Sequence, residues 1–331
     1  MLSTRAAIGT FEGVSITASL YPEIEPYEYG MLDVGDGQQI YWEACGNPRG
    51  RPALVLHGGP GSGCSRNMRR PFDPDAYRVI LLDQRQCGRS IPHASDPATD
   101  LSMNTTKHLL EDIELLRAHV GVERWLIFGG SWGCTLALAY AERHPDLVSA
   151  LVLAGITTTR RTEIDWLYRR VAPLYPEQYA RFIAGAGGQG DEIVEAYRRL
   201  LAHPDAAVRE QAAKNWCAWE NGLVSIDPNA QTPARRLTPG FQMAFARIVT
   251  HYFSNAAWLE EGELLRHAGA LQGIPGVMIQ GRFDVNAPLV TAWELARAWP
   301  DSELVVVENA GHSGADPGMT EALVAALDRF R

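Results

Sequence analysis

"WLIFGGSWGCTLALAYAERHP", Trp125 to Pro145, opens as an apolar run, turns on two glycines and leaves as an alanine-rich segment of helical periodicity. Ser131 stands at that turn, inside Gly129-Gly130-Ser131-Trp132-Gly133. A strand that breaks into a helix this sharply holds the serine in a strained backbone conformation. Glycine is needed on either side, because a Cβ there would strike the neighbouring strand and helix. The strain lifts the hydroxyl above the sheet, and the helix N-terminus behind it favours developing negative charge. The G-x-S-x-G spacing between strand and helix therefore predicts a nucleophile at Ser131.

Working outward, "PALVLHGG", "RVILLDQR", "RWLIFGG", "SALVLAG", "GVMIQGR" and "ELVVVENAGH" read as strands. Most are unbroken apolar runs, as expected of parallel strands covered on both faces. "MLDVGDGQQIYWEACG" reads as a hairpin turning at Asp36-Gly37. "TKHLLEDIELLRAHVG" and "TLALAYAERHP" are helical in period. The alternation predicts an α/β fold with a doubly wound, mostly parallel sheet and an antiparallel start. From about Thr157 to Gly273 the pattern is helical throughout, as in "RTEIDWLYRRVAPLYPEQYARFI", "DEIVEAYRRLLAHPDAAVREQAAKNWCAWENG" and "ELLRHAGALQG". The expected organisation is a core in two parts, 1–156 and 274–331, with a helical cap over 157–273 inserted between them.

The 331 residues suffice for one large core with an inserted subdomain. Apolar residues make up 46% and charged residues 21%, ordinary for a globular chain. The net charge of -9 disfavours a nucleic-acid partner. Residues 1–30 hold no long apolar run and no other stretch approaches a membrane span, so neither a signal peptide nor a membrane partner is expected. Cys45, Cys64, Cys87, Cys134 and Cys217 are scattered and form no C-x-x-C pair. Neither a zinc site nor a disulfide framework is indicated, and a cytoplasmic enzyme with reduced thiols is the simplest expectation.

A serine hydroxyl needs a base to take its proton, and the base needs an orienting acid. On a parallel sheet both belong in loops at the carboxyl ends of later strands. Asp284 follows the strand in "GVMIQGRFDVNAP", and His312 follows the last strand in "ELVVVENAGHS". His57, His144 and His251 sit in other contexts. The order Ser131, Asp284, His312 is that of the α/β-hydrolase fold. "LHGGPGSG" follows an early strand, and its glycines allow backbone N–H groups to approach an oxyanion closely. One donor is expected at Gly59 and the other at Trp132, the residue after the nucleophile. Cys134, on the helix behind Ser131, reads two ways: a small buried residue packed on the sheet, or an accessible thiol activated by the helix N-terminus.

Together with these motifs, "DQRQCGRS", "NTT", "WCAWE", "ARIVTHYF", "GRFDV" and "AGHS" make the chain resemble the proline iminopeptidases, α/β-hydrolases of the S33 peptidase class, over nearly its whole length. The resemblance implies release of an N-terminal proline from small peptides with a free N-terminus, with neither metal nor organic cofactor. It assigns Glu220 of Trp216-Cys217-Ala218-Trp219-Glu220 to the substrate's amine, where a carboxylate over the serine would set the register to one residue. Trp219 beside it and Phe253, an apolar wall for a pyrrolidine ring, complete the expected substrate contacts. The chain also departs from the pattern. Val249 stands where the family often has a second glutamate, Thr157 where it often has an aromatic residue, and Gln86 where glycine is more usual. These departures predict weaker amine recognition or a shifted substrate range. An esterase, lactonase or amidase on the same scaffold is the alternative.

Overall fold

A computed structural model describes residues 8–9, 19–188, 190 and 192–331. The rest of the N-terminal stretch read above, and the first residue of the helical stretch beginning at Asp191, lie outside the described residues. The strands are β1 (Ile8–Gly9), β2 (Glu28–Asp33), β3 (Gln39–Gly46), β4 (Arg51–Leu56), β5 (Tyr77–Leu82), β6 (Trp125–Gly130), β7 (Val148–Ala154), β8 (Gly276–Gly281) and β9 (Ser302–Val307). They form one sheet in the order β1-β9-β8-β7-β6-β4-β5-β3-β2. β3 runs antiparallel to both β2 and β5, and the pairs from β5 to β9 and on to β1 are parallel. The expected sheet is present, antiparallel start included. The hairpin between β2 and β3 turns through Gly35, Asp36 and Gly37, all with positive φ.

Side chains alternate across a strand, so an apolar run fills two layers at once. Leu54 and Leu56 of β4, Ile127 of β6 and Leu151 and Leu153 of β7 join one buried cluster. Ala53 and Val55, Leu126 and Phe128, and Ala150 and Val152 join the other. The first layer is covered by α1 (Thr106–His119), α2 (Trp132–Arg143) and α9 (Leu289–Ala298), and the second by α10 (Met319–Asp328).

Between β7 and β8 the described residues form helices and turns only: α3 (Arg161–Asp165), α4 (Pro176–Gly185), α5 (Ile193–Leu201), α6 (Ala206–Gly222), α7 (Pro239–Ser254) and α8 (Glu263–His267). A wide π-type turn over Trp166–Arg170 follows α3. These elements divide by packing. Tyr168, Phe182, Tyr197, Trp216, Trp219 and Val249 belong to an aromatic cluster of their own, whereas Leu259, Leu264, Ala268 and Leu271 pack into the layer that holds α2. α7 serves both: Ala244, Ile248 and Tyr252 face the sheet's layer, and Phe245, Ala246 and Val249 face the aromatic cluster. A helix apolar on two sides is buried between two bodies.

Candidate active site

Ser131 sits between β6 and α2 with φ 56° and ψ -123°, a region that non-glycine residues rarely enter. The conformation is held from both sides: Ser131 N donates to Ala154 O of β7 at 2.9 Å, and Ser131 O accepts from Cys134 N at 2.7 Å. The glycine run of residues 58–61 passes directly over this turn. A Cβ on Gly58 would stand 3.0 Å from Gly130 O and 3.1 Å from Ser131 Cβ. The Gly59 N–H makes no hydrogen bond among the described residues. Trp132 is the first residue of α2, ahead of the helical hydrogen-bond ladder. Both N–H groups belong to the segments that meet at the serine turn.

His312 Nε2 lies 3.0 Å from Ser131 Oγ, and its Nδ1 lies 2.8 Å from Asp284 Oδ2. A carboxylate only accepts, so Nδ1 carries the proton and donates to Asp284, leaving Nε2 to accept from the serine hydroxyl. Asp284 is 4% exposed and fixed by four donors: Asn286 N and Ala287 N on Oδ1, Gln280 Nε2 and the imidazole on Oδ2. Burial pulls the imidazole pKa down, but the Asp284 carboxylate and its hydrogen bond, helped by Glu220, outweigh burial and raise it above its ordinary value of 6.5. The ring has room because residue 155 is glycine: a Cβ there would lie 2.9 Å from His312 Cε1.

Glu220, near the C-terminal end of α6, is 8% exposed. Tyr168 on the π-type turn donates its hydroxyl to Glu220 Oε1. Burial raises the Glu220 pKa, while the Tyr168 hydroxyl, Arg236 and His312 favour the carboxylate. Phe253 is half-buried with its ring 5.8 Å from that of Tyr168. Glu220, Tyr168 and Phe253 thus come together, and the Glu220 charge reaches His312. Trp219 is set apart from them. It is 2% exposed, its ring stacks on Phe182 at 5.1 Å, and its Nε1 donates to Leu167 O, so it packs inside the aromatic cluster rather than facing a substrate. Val249 is fully buried in the same aromatic cluster, and Thr157 turns its hydroxyl to Glu163.

The accessible-thiol reading of Cys134 is corrected here. Cys134 is fully buried, and its Sγ donates to Gly129 O at 3.2 Å and Ala154 O at 3.4 Å. Burial pushes its pKa up to about 12, which outweighs the helix N-terminus. Gln86 has φ 65° and ties its amide to Asp100 O, so hydrogen bonds retain a residue where glycine would fit without strain.

Three supports escaped the sequence reading. Gln84 accepts from Trp132 Nε1 at 3.0 Å and donates to His57 O at 2.9 Å, joining the serine turn to the glycine run. Gln280 donates to Asp284 Oδ2 at 2.8 Å and accepts from Ile156 N. Asp316 accepts from Gly311 N and from Ser225 Oγ, clamping the His312 loop to the segment that follows α6. Gln84 lay inside the quoted "DQRQCGRS" and Gln280 inside "GVMIQGR", neither singled out; nothing local marked Asp316.

Residues 52–318 match the family described as alpha/beta hydrolase fold, and the chain is an α/β-hydrolase. A probable proline iminopeptidase of Streptomyces coelicolor is 51% identical, over 94% of this chain and 98% of the relative. The proline iminopeptidase of Xylella fastidiosa (strain Temecula1) is 46% identical over 94% and 99%, and that of Arabidopsis thaliana 42% over 95% and 82%. The chain belongs to the proline iminopeptidase family. Among solved structures the fold is shared with VinJ, at TM-score 0.68, 18% identity and coverage of 93% and 100%. It is shared also with the proline iminopeptidase of Mycobacterium smegmatis, at TM-score 0.65, 21% identity and coverage of 92% and 97%. Among the described residues no helix is long and apolar enough to cross a membrane.

Proposed function

We propose that this chain is a serine exopeptidase that releases an N-terminal proline from small peptides through an acyl-enzyme. The observation that carries the reading is the continuous relay from Ser131 Oγ to His312 to Asp284, with the Glu220 carboxylate close enough for its charge to act on His312. Ser131 attacks the carbonyl carbon of the first residue while His312 takes the hydroxyl proton at Nε2. Asp284 holds the ring and stabilises the imidazolium. The N–H groups of Gly59 and Trp132 receive the charge that develops on the carbonyl oxygen. His312 returns its proton to the leaving amine, and water then repeats the sequence on the ester. Glu220 pairs with the substrate's ammonium and limits cleavage to the first bond. The cap supplies Glu220, Tyr168 and Phe253 and the core supplies the chemistry, which is the division of labour we assign to 157–273 and the two flanking parts. Five free, buried cysteines support a reducing, cytoplasmic setting.

One observation favours a second reading, an esterase, lactonase or amidase. The position of the second amine-binding carboxylate is filled by Val249, buried among aromatic rings. One panel separates the two: prolyl arylamide, its N-acetyl derivative and a simple arylacetate, with fluorophosphonate labelling to locate the nucleophile. The proposal expects labelling at Ser131 and cleavage of the prolyl arylamide far above the other two. Preference for the acetate or the blocked amide would overturn it.

A further inference from the structure

Arg236 takes no part in the relay. It lies on a single turn, Ala234–Leu237, between α6 and α7. Its neighbour Arg235 donates to Cys64 O at 3.2 Å and Gly63 O at 3.4 Å, which pins the turn to the loop continuing from the glycine run. The guanidinium carbon of Arg236 stands 5.6 Å from the ring centre of Phe245 and 6.0 Å from that of Phe241. Its Nε is closed off from water without a hydrogen-bond partner, and the side chain makes no ion pair among the described residues. A half-buried guanidinium whose Nε has no acceptor leaves a donor unmet, at a cost in free energy. Its charge acts through space on both Glu220 and His312. The turn that carries it is tied by Arg235 beside the glycine run, and the Phe245 ring under its guanidinium belongs to α7, the helix that also bears Phe253.

A short free peptide brings two charges of opposite sign. In an extended dipeptide the ammonium and the terminal carboxylate are about 7 Å apart, at the reach of two residues. A guanidinium binds a carboxylate through two parallel N–H donors, which a neutral amide or an aromatic leaving group cannot match. We propose that Arg236 binds the free C-terminal carboxylate of a dipeptide whose ammonium is held at Glu220, so that this chain is tuned to prolyl dipeptides. The inference rests on the exopeptidase reading above. In such a substrate the carboxylate belongs to the leaving residue, on the side of the scissile bond where His312 delivers its proton.

The test compares kcat/KM for Pro-Ala carrying a free carboxylate with that for Pro-Ala amide, in the wild type and in Arg236→Gln and Arg236→Lys. Removing a charge that acts on Glu220 and His312 alters every rate, so the reading is the acid-to-amide ratio. The wild type should favour the acid by about tenfold or more, the scale of one charge-assisted pair. Arg236→Gln should bring the ratio close to one, and Arg236→Lys should fall between. A wild-type ratio near one overturns the inference without recourse to any variant. A ratio unchanged in a folded Arg236→Gln protein overturns it too, and leaves Arg236 as a counter-charge to Glu220 alone. A wild type that cleaves neither peptide overturns the exopeptidase reading itself, and this inference with it.

Discussion

Ser131 is the residue on which the proposed chemistry turns, and its backbone is fixed by β7 and α2 rather than by its side chain. Ser131→Ala should therefore keep the melting temperature and lose at least ~10³-fold in kcat. Wild-type turnover in a clean preparation would remove Ser131 from the mechanism. Glu220 offers a sharper test because it has two separable effects. If it pairs with the substrate ammonium, Glu220→Gln should cost about 2–4 kcal/mol in kcat/KM for a free N-terminus and little for a neutral ester of similar size. Its second effect is on His312, which serves as a base only when neutral. Burial lowers the imidazole pKa, but Asp284 and Glu220 raise it above 6.5 on balance, so activity should rise with pH through a limb above that value. Without the Glu220 charge the limb should move to lower pH. An equal loss on amine and ester with an unmoved limb would leave Glu220 a purely structural residue.

The serine turn works as an element because α2 is wedged against β4. A Cβ on Gly133 would lie 2.1 Å from Leu56 O and 2.9 Å from Leu56 C, both backbone atoms that cannot swing aside. Gly133→Ala must separate helix from strand, and Leu56 leads directly into His57 and the glycine run. The expected cost is about 3 kcal/mol or more in stability, read from a denaturant midpoint, together with loss of activity. A fully active variant of wild-type stability would show that the wedge is not needed. Much at this scale could be read in advance. β4 to β9 are apolar runs because both faces are covered, and Asp284 and His312 were legible because each follows such a run. Tyr168, Gln280 and Asp316 were not, since each joins segments distant in the chain, to Glu220, Ile156 and Ser225; nor was Arg236, whose unmet donor only the folded packing shows. β1 was silent for a different reason: two residues carry no periodicity, and only pairing with β9 makes them a strand.

At the scale of the whole molecule, what matters is how the helices that we assign to the cap are held against the core. α7 is the tie. Its sheet-side face packs with Ala244, Ile248 and Tyr252, and its polar anchors reach residues 94–104 of the core. Arg247 donates to the carbonyls of Ala94 at 2.6 Å, Asp96 and Thr99 at 2.9 Å. Tyr252 donates to Asn104 Oδ1 at 2.8 Å, and His251 Nε2 to Asn104 O at 3.1 Å. The other side of α7 accepts from Cys217 through Gln242 O, one turn before Glu220 on α6. A shift of α7 should therefore displace Glu220 and Phe253 while leaving the Ser131–His312–Asp284 relay in place. Arg247→Met strips three carbonyls of a charged donor, and at about 1.5–3 kcal/mol for a bond to a charged group, discounted for partial exposure, should cost roughly 2–4 kcal/mol in stability. Its kinetic signature should be a rise in KM for prolyl substrates with kcat largely kept, because amine binding is displaced and the relay is not. Arg247→Lys should be intermediate, since a compact ammonium cannot serve three carbonyls at once. An unchanged KM with a lowered melting temperature would mean that the anchors stabilise the protein without setting the cap's position. An unchanged melting temperature would mean that the apolar face of α7 holds the cap unaided.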